Sequence, residues 1–205
     1  MKSNEQGLIE AALSSTGRAK MDNLIRHLDK IGFYEAPCSG SYHLSRKGGL
    51  AEHSLNVYRI MKDMAVVLLS KDEYERLSDS IIICSLLHDV GKCGEYDKPN
   101  YIPNMIKDGR PTKDNPEQKY KQSDSKPYIT NPELLYMPHE VRSITIIRQY
   151  INLTEEENHA IYYHNGKYTH TGYDLKETPL QMLLHFADLW SSRIIEMEVQ
   201  TDEDN

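Results

Sequence analysis

The stretch SDSIIICSLLHDVGK, residues 78–92, sets the narrowest condition on what this chain can fold into. Its apolar run reads as the end of a helix over 74–90, YERLSDSIIICSLLHDV, buried on most sides, with Gly91 as its stop signal. That helix finishes on an imidazole, a carboxylate and an ammonium: His88, Asp89 and Lys92. A charged group placed against apolar neighbours is costly unless it is paired or coordinated. The fold must therefore bring partners to this point from elsewhere in the chain.

The same arrangement recurs. His53 lies on the apolar stripe of LAEHSLNVYRIMKDMAVVLL, which passes through Leu50, Val57, Met61, Met64 and Leu68. His139 opens HEVRSITIIRQYI, His164 ends EEENHAIYYH, and Asp188 sits inside LLHFADLW, four residues after Leu184. Each comes from a different helix or helix end. Imidazoles and carboxylates on facing helices are how helical bundles build metal sites, whereas ligands so far apart in sequence cannot form an autonomous finger. Taken singly, a buried histidine is more often a hydrogen-bonded core residue than a ligand; the set carries the metal reading.

The remaining elements follow from periodicity and caps. EQGLIEAAL and AKMDNLIRHLDKIGF read as short amphipathic helices, and APCSGSYHLSRKGG as a loop. Thr154 with Glu157 predicts a capping box, and Thr178 with Pro179 an N-cap and first turn for the last helix, TPLQMLLHFADLWSSRIIEME. Residues 94–133 interrupt the helices; NYIPNMI and KPYIT are expected to pair as a small β-hairpin, and an insertion of this length suits a lid or binding loop, with Tyr96, Tyr101, Lys107, Arg110 and Lys113 as candidate lining. The expected fold is all-α with a small β-hairpin or irregular insertion at about 94–133. It is a single domain over 1–205: helices and loop over 1–45, a core over 46–195, and a tail over 196–205 whose last residues, QTDEDN, are expected to fray.

Composition narrows the classes. A net charge of −7 does not suit a protein that holds long nucleic acid by phosphate neutralisation. The three cysteines, Cys38, Cys84 and Cys93, form no CxxC pair and suit a reducing compartment. The first residues show no apolar signal region, and no apolar run approaches the roughly 18 residues that span a bilayer. The expected location is cytoplasmic, with no membrane partner; an oligomer is compatible with everything above.

At these residues the chain resembles a known family. GGLAEHSLNV, LLHDVGK, MPHEVRS, YYHNG and HFADLWSS look like the successive motifs of the HD superfamily of metal-dependent phosphohydrolases. The GGLAEHS opening is similar to the HD domain of bacterial exoribonucleases that join an OB-fold to an HD domain, and the later spacing to short stand-alone HD hydrolases of bacteria and phages. The resemblance implies that His53, His88, Asp89 and Asp188 hold one metal, and that His139 and His164 match the two further histidines of the two-metal subset, with Asp89 bridging. It implies divalent transition ions, two of them, drawn from Mn, Fe, Co, Ni or Zn, with Mg also admitted. Two departures stand out: YYHNG carries one histidine where cyclic-dinucleotide enzymes carry a pair, and no Gly-Tyr-Pro signature is present. The 205 residues also hold no OB-fold stretch.

The function implied is hydrolysis of a phosphoester of a nucleotide or related small molecule by a metal-bridging hydroxide, with Asp89 and Lys92 in catalytic roles. Lys92 pairs there with a phosphate oxygen, or is a helix-end lysine favoured by the helix dipole. His43, His170 and Arg193 are candidate substrate contacts beside Lys92, and His185, three before Asp188, a group behind the ligands. His27 and His159 are expected on ordinary helix faces. The alternatives are a phosphodiesterase or 3′–5′ exonuclease on short single strands, and a non-catalytic sensor that binds metal or nucleotide.

Overall fold

The computed structural model describes residues 3–111, 116–166 and 176–197. Seven helices make the body: α1 (Asn4–Ser15), α2 (Met21–Lys30), α3 (Gly49–Leu68), α4 (Lys71–Leu87), α5 (His139–Arg148), α6 (Glu155–Tyr162) and α7 (Pro179–Trp190). A 3-10 turn, Val90–Cys93, follows α4, and a π turn, Ser191–Ile195, follows α7. The all-α expectation holds, with the strands confined to the insertion.

Helices α3, α4 and α7 pack on one another, α1 and α2 close one side, and α5 and α6 the other. The centre of α4 explains why it can be inside. Leu77, Ile81, Ile83, Cys84, Leu86 and Leu87 are all buried, and each such leucine or isoleucine contributes about 1.5–3 kcal/mol. Its polar start is capped by Ser70, whose side chain accepts from the Glu73 N–H. The α3 stripe is buried through Leu50, Val57 and Met61, but Leu68 at its end is exposed. The stripe runs past the edge of the bundle there.

The caps at the later helices form as expected. Thr154 and Glu157 make the capping box, and Thr178 caps α7 with Pro179 in its first turn. Glu157 does more than cap α6. Its buried carboxylate also accepts from Ser80 Oγ on α4 and pairs with Arg18 between α1 and α2. One side chain thus ties three parts of the bundle together.

The insertion is a two-tier ladder. β3 (Tyr101–Pro103) pairs antiparallel with β6 (Tyr128–Thr130), as the NYIPNMI and KPYIT segments suggested, while β4 (Met105–Asp108) pairs with a strand not foreseen, β5 (Lys119–Gln122). A further pair, β1 (Gly94–Glu95) with β2 (Lys98–Pro99), makes the turn into it. The Tyr128 N–H donates to the Gly40 carbonyl, so the ladder leans on the loop before α3.

Gly91 is not the stop signal. The α-helix ends at Leu87, with His88 as its C-cap. Gly91 lies inside the 3-10 turn, where α5 presses on it: a Cβ there would stand 2.2 Å from the His139 carbonyl oxygen and 2.8 Å from the Ser143 nitrogen. Its N–H donates to Ser143 Oγ and its carbonyl accepts from Arg142 Nη1. Gly91→Ala is expected to cost about 1–3 kcal/mol or more by overpacking backbone against backbone. A melting curve would show about 2–4 °C lost per kcal/mol in a domain of this size. An unchanged midpoint would mean that α5 is not seated on this turn.

Candidate metal centre

The contact between Gly91 and α5 places the centre. It sets His139, first residue of α5, against the His88–Asp89 end of α4. His53 enters from the second turn of α3, Asp188 from α7, and His164 from the turn after α6. Four helical elements and a turn thus converge on one carboxylate. His53, His88, Asp89 and His164 are all essentially inaccessible to solvent.

The two oxygens of Asp89 face different imidazoles. Oδ2 lies 3.5 Å from His53 Nε2 and 3.4 Å from His88 Nε2. Oδ1 lies 3.2 Å from His139 Nε2 and 3.7 Å from His164 Nε2. Asp188 Oδ1 stands 3.2 Å from His53 Nε2, and His139 and His164 bring their Nε2 atoms to 3.2 Å.

The ring tautomers follow from what lies behind each ring. His88 Nδ1 sits 3.0 Å from the Ser85 carbonyl, and His164 Nδ1 2.7 Å from the Ile161 carbonyl. A carbonyl only accepts, so each Nδ1 carries a proton and each Nε2 is the atom turned to the centre. His53 Nδ1 is held in the same way, 2.9 Å from Glu196 Oε1.

His53 Nε2, His88 Nε2 and Asp89 Oδ1 are buried and make no aligned hydrogen bond, although charged neighbours stand close. Buried polar atoms are rarely left so. Inward lone pairs and carboxylate oxygens within 4.8 Å of one another are what a cation needs, and the groups His53–His88–Asp89, His88–His164–Asp188 and Asp89–His139–His164 each meet that measure. The donor set fits a divalent transition metal.

Electrostatics agree with a site built for cations. Burial pushes the Asp89 carboxyl up, but the Lys92 ammonium and the His88 and His139 imidazoles outweigh it and hold it well below the usual carboxylate range. Burial would lower Lys92, yet the adjacent Asp89 raises it. Burial, then His88, pushes His164 down to about 3, so its ring is neutral and ready to ligate. His53 is raised well above its ordinary value despite burial, by Cys38, Asp188 and Glu196.

The sequence reading missed Glu196, which falls at the end of the last helix it drew and outside the core over 46–195. The carboxylate is buried, accepts from Asn56 Nδ2 at 3.1 Å, and bonds the Nδ1 atoms of both His53 and His43. In an unbroken α-helix, a residue eight beyond Asp188 would sit roughly 80° around the axis from it. The π turn at Ser191–Ile195 takes up an extra residue and swings Glu196 back to within roughly 20° of Asp188. Burial would raise its carboxyl, but His43 and His53 bring it down to about 2. Glu196→Gln is expected to weaken metal binding about 10- to 100-fold, as loss of a carboxylate behind a ligating histidine does. Competition with a fluorescent chelator would measure it, and unaltered affinity would reduce Glu196 to a packing residue.

The other candidates divide. His43 is at the centre, edge-on to His53, with its Nε2 3.9 Å from the sulfur of Cys38, a second residue not foreseen. His185 reaches the site through the chain, its Nδ1 bonded to the His164 carbonyl at 2.7 Å. Lys92 is mostly buried, with its ammonium on Asp89 Oδ2 and 3.9 Å from Cys38 Sγ. Arg193 is not brought to the centre: it lines a separate apolar groove with Ile60, Met64, Phe186 and Trp190. His27 and His159 pack on Tyr150 and Tyr163, on helix faces as expected. Of the insertion residues, Tyr101 is half-buried while Tyr96, Lys107 and Arg110 are exposed. His170 and Lys113 lie outside the described residues.

Helices ringing an adjacent His-Asp pair, with a further histidine before it and an aspartate after it, define a metal-binding helical domain. The family model described as HD domain matches residues 50–192, and the chain belongs to the HD-domain superfamily. It is 41% identical over 66 residues to the dihydroneopterin 2′,3′-cyclic phosphate phosphodiesterase of Methanocaldococcus jannaschii, a match covering 32% of this chain and 26% of that protein. The alignment thus spans about a quarter of that relative's length. No solved structure matches the chain. No helix among the described residues is long and apolar enough to cross a membrane.

Proposed function

We propose that this protein is a metal-dependent phosphohydrolase that cleaves a phosphoester of a nucleotide or similar small molecule, with two divalent transition metal ions. The observation that carries the reading is the division of Asp89, whose Oδ2 faces His53 and His88 while Oδ1 faces His139 and His164. One carboxylate between two sets of imidazoles suits a bridge between two cations. His53, His88 and Asp188 complete one set, and His139 and His164 the other.

Such ions, when bound, supply charge for the phosphoryl oxygens and activate water for in-line attack. The chain's own groups do the rest. Lone pairs fixed by the Ser85 and Ile161 carbonyls and by Glu196 keep the ligands in register without reorganisation. Lys92 holds a permanent ammonium beside Asp89, only partly exposed, where it can meet a non-bridging oxygen. His43, whose proton Glu196 and Cys38 retain up to about 9 against the pull of burial, is a second cation on that side. His53, His88, Asp89 and His164 are themselves shut off from bulk water. Within the class, the archaeal relative's printed name supports a phosphodiester bond, cyclic ones included.

The test is protein purified without chelator, assayed for metal per chain and for turnover of nucleotide and phosphodiester substrates with Mn, Co, Ni, Zn or Mg. Two ions per chain are expected. The double variant His139→Ala/His164→Ala should hold one and lose most turnover. One ion in the wild type would return these histidines to structural or substrate roles, and no metal after reconstitution would end the reading.

A further inference from the structure

A cavity of about 190 Å³ opens beside the metal centre and shares two residues with it, Lys92 and His139. Its remaining wall comes mainly from the insertion and the segment after it: Asn100, Tyr101, Thr130 and Met137. Tyr101 and Thr130 are register partners across the β3–β6 ladder, so one strand pair sets their spacing. The Gly40 backbone supports the pair from behind, where a Cβ would stand 3.0 Å from the Tyr128 carbonyl oxygen and 3.9 Å from the Tyr101 ring. Arg142 holds the junction, donating to the Gly91 carbonyl, the Asn100 Oδ1 and the Leu135 carbonyl.

The chemistry of this wall is specific. An aromatic ring and a thioether give flat, polarisable contact. The Tyr101 hydroxyl, the Asn100 Nδ2 and the Thr130 hydroxyl have no hydrogen-bond partner among the described residues. The wall is thus mixed, an aromatic and thioether face among polar side chains, and a few such polar groups placed beside apolar contact are what orient a small molecule. The cavity's volume lies below the roughly 300–1,000 Å³ of pockets that enclose drug-sized ligands. One ring system fits; a second does not.

We propose that this cavity seats the organic half of the substrate, and that it takes a single planar nitrogen heterocycle borne on a small phosphoester of the mononucleotide class. The proposal rests on the metal centre described above, because Lys92 and His139 place the cavity beside the reacting phosphoryl group. Tyr101 is its specificity residue. A dinucleotide gains nothing, since its second base stays in solvent.

The test uses the metal-loaded full chain with the four nucleoside 5′-monophosphates, their nucleoside 2′,3′-cyclic phosphates, the matching dinucleotides, and glycerol 2-phosphate, which has no ring. At least one mononucleotide should exceed glycerol 2-phosphate at least tenfold in kcat/KM. Tyr101→Ala should raise KM for that nucleotide about tenfold more than it raises KM for glycerol 2-phosphate, with most of the loss in KM rather than kcat. Tyr101→Phe should restore most of it. Equal kcat/KM for ringed and ringless substrates, an unselective Tyr101→Ala effect, or a dinucleotide KM tenfold below the mononucleotide's would each overturn the proposal while leaving the hydrolase reading intact. If the wild type turns nothing over, calorimetric binding of the same mononucleotides still decides: tenfold weaker binding in Tyr101→Ala supports the cavity, and no binding to the wild type overturns it.

Discussion

Asp89→Asn is expected to lower turnover of the best phosphoester substrate at least ~10³-fold, about 4 kcal/mol of transition-state stabilisation, and to strip the protein of bound metal. The substitution keeps the shape of the side chain and changes what its two ends offer. A carboxylate presents acceptor oxygens to both sets of imidazoles. An amide presents one oxygen and one N–H₂ group. Whichever set faces the nitrogen meets a donor, which the lone pair of a neutral Nε2 accepts, closing the place a cation would take. The charge that brings two cations together is lost as well. Lys92 loses its partner too, so the metal-free variant should also melt earlier than the metal-free wild type. Metal analysis, turnover and circular dichroism on one preparation separate these effects. A folded Asp89→Asn protein with wild-type metal content and turnover would remove Asp89 from the reaction.

How much of this was legible in the sequence depended on periodicity. Helices α3, α4 and α7 carry apolar stripes or runs long enough to mark them, and a polar residue on such a stripe, as at His53 or Asp188, shows that something must meet it. Two caps were readable because they need only local residue types, Thr154 with Glu157 and Thr178 with Pro179. Glu196 escaped because its position depends on a π turn, which has no signature in composition and shifts the helical register by a residue. Glu196 fell at the end of the helix TPLQMLLHFADLWSSRIIEME, beyond the core drawn over 46–195, where residue types alone give it no partner. Arg193 stands away for a plainer reason: five residues after Asp188 is roughly 140° around an α-helix, on another face. Cys38 reaches the centre through a loop whose path rests on hydrogen bonds such as the Cys38 N–H to the Leu44 carbonyl, which residue types alone do not specify. Gly91 was rightly singled out and given the wrong reason, because the pressure on it comes from α5, some fifty residues later in the chain.

Removing metal should lower the melting midpoint by about 8–16 °C relative to protein held in an ion at ~1,000 times its Kd. That concentration stabilises the native state by about 4 kcal/mol, and each kcal/mol moves the midpoint about 2–4 °C in a domain of this size. The gap should widen as pH rises, and the sign can be worked out from the ligands. In the metal-free protein His53 is raised well above its ordinary value, against burial, by Cys38, Asp188 and Glu196. A group raised in the folded state lends its full stability below its unfolded pKa, about 6.5, and loses that contribution as pH climbs through the raised value. The metal-free form therefore loses support on the alkaline side. The loaded form gains there, because a cation no longer competes with the proton on His53. His164 adds nothing to the gap, since at about 3 its ring is already neutral in the metal-free form; its titration in the unfolded chain near 6.5 moves both melts alike. Melts of chelated and loaded protein at pH 6, 7 and 8 would show the divergence. Coincident melts at pH 8 would mean that His53 Nε2, His88 Nε2 and Asp89 Oδ1 find partners other than a metal, and the two-ion centre would fall with them.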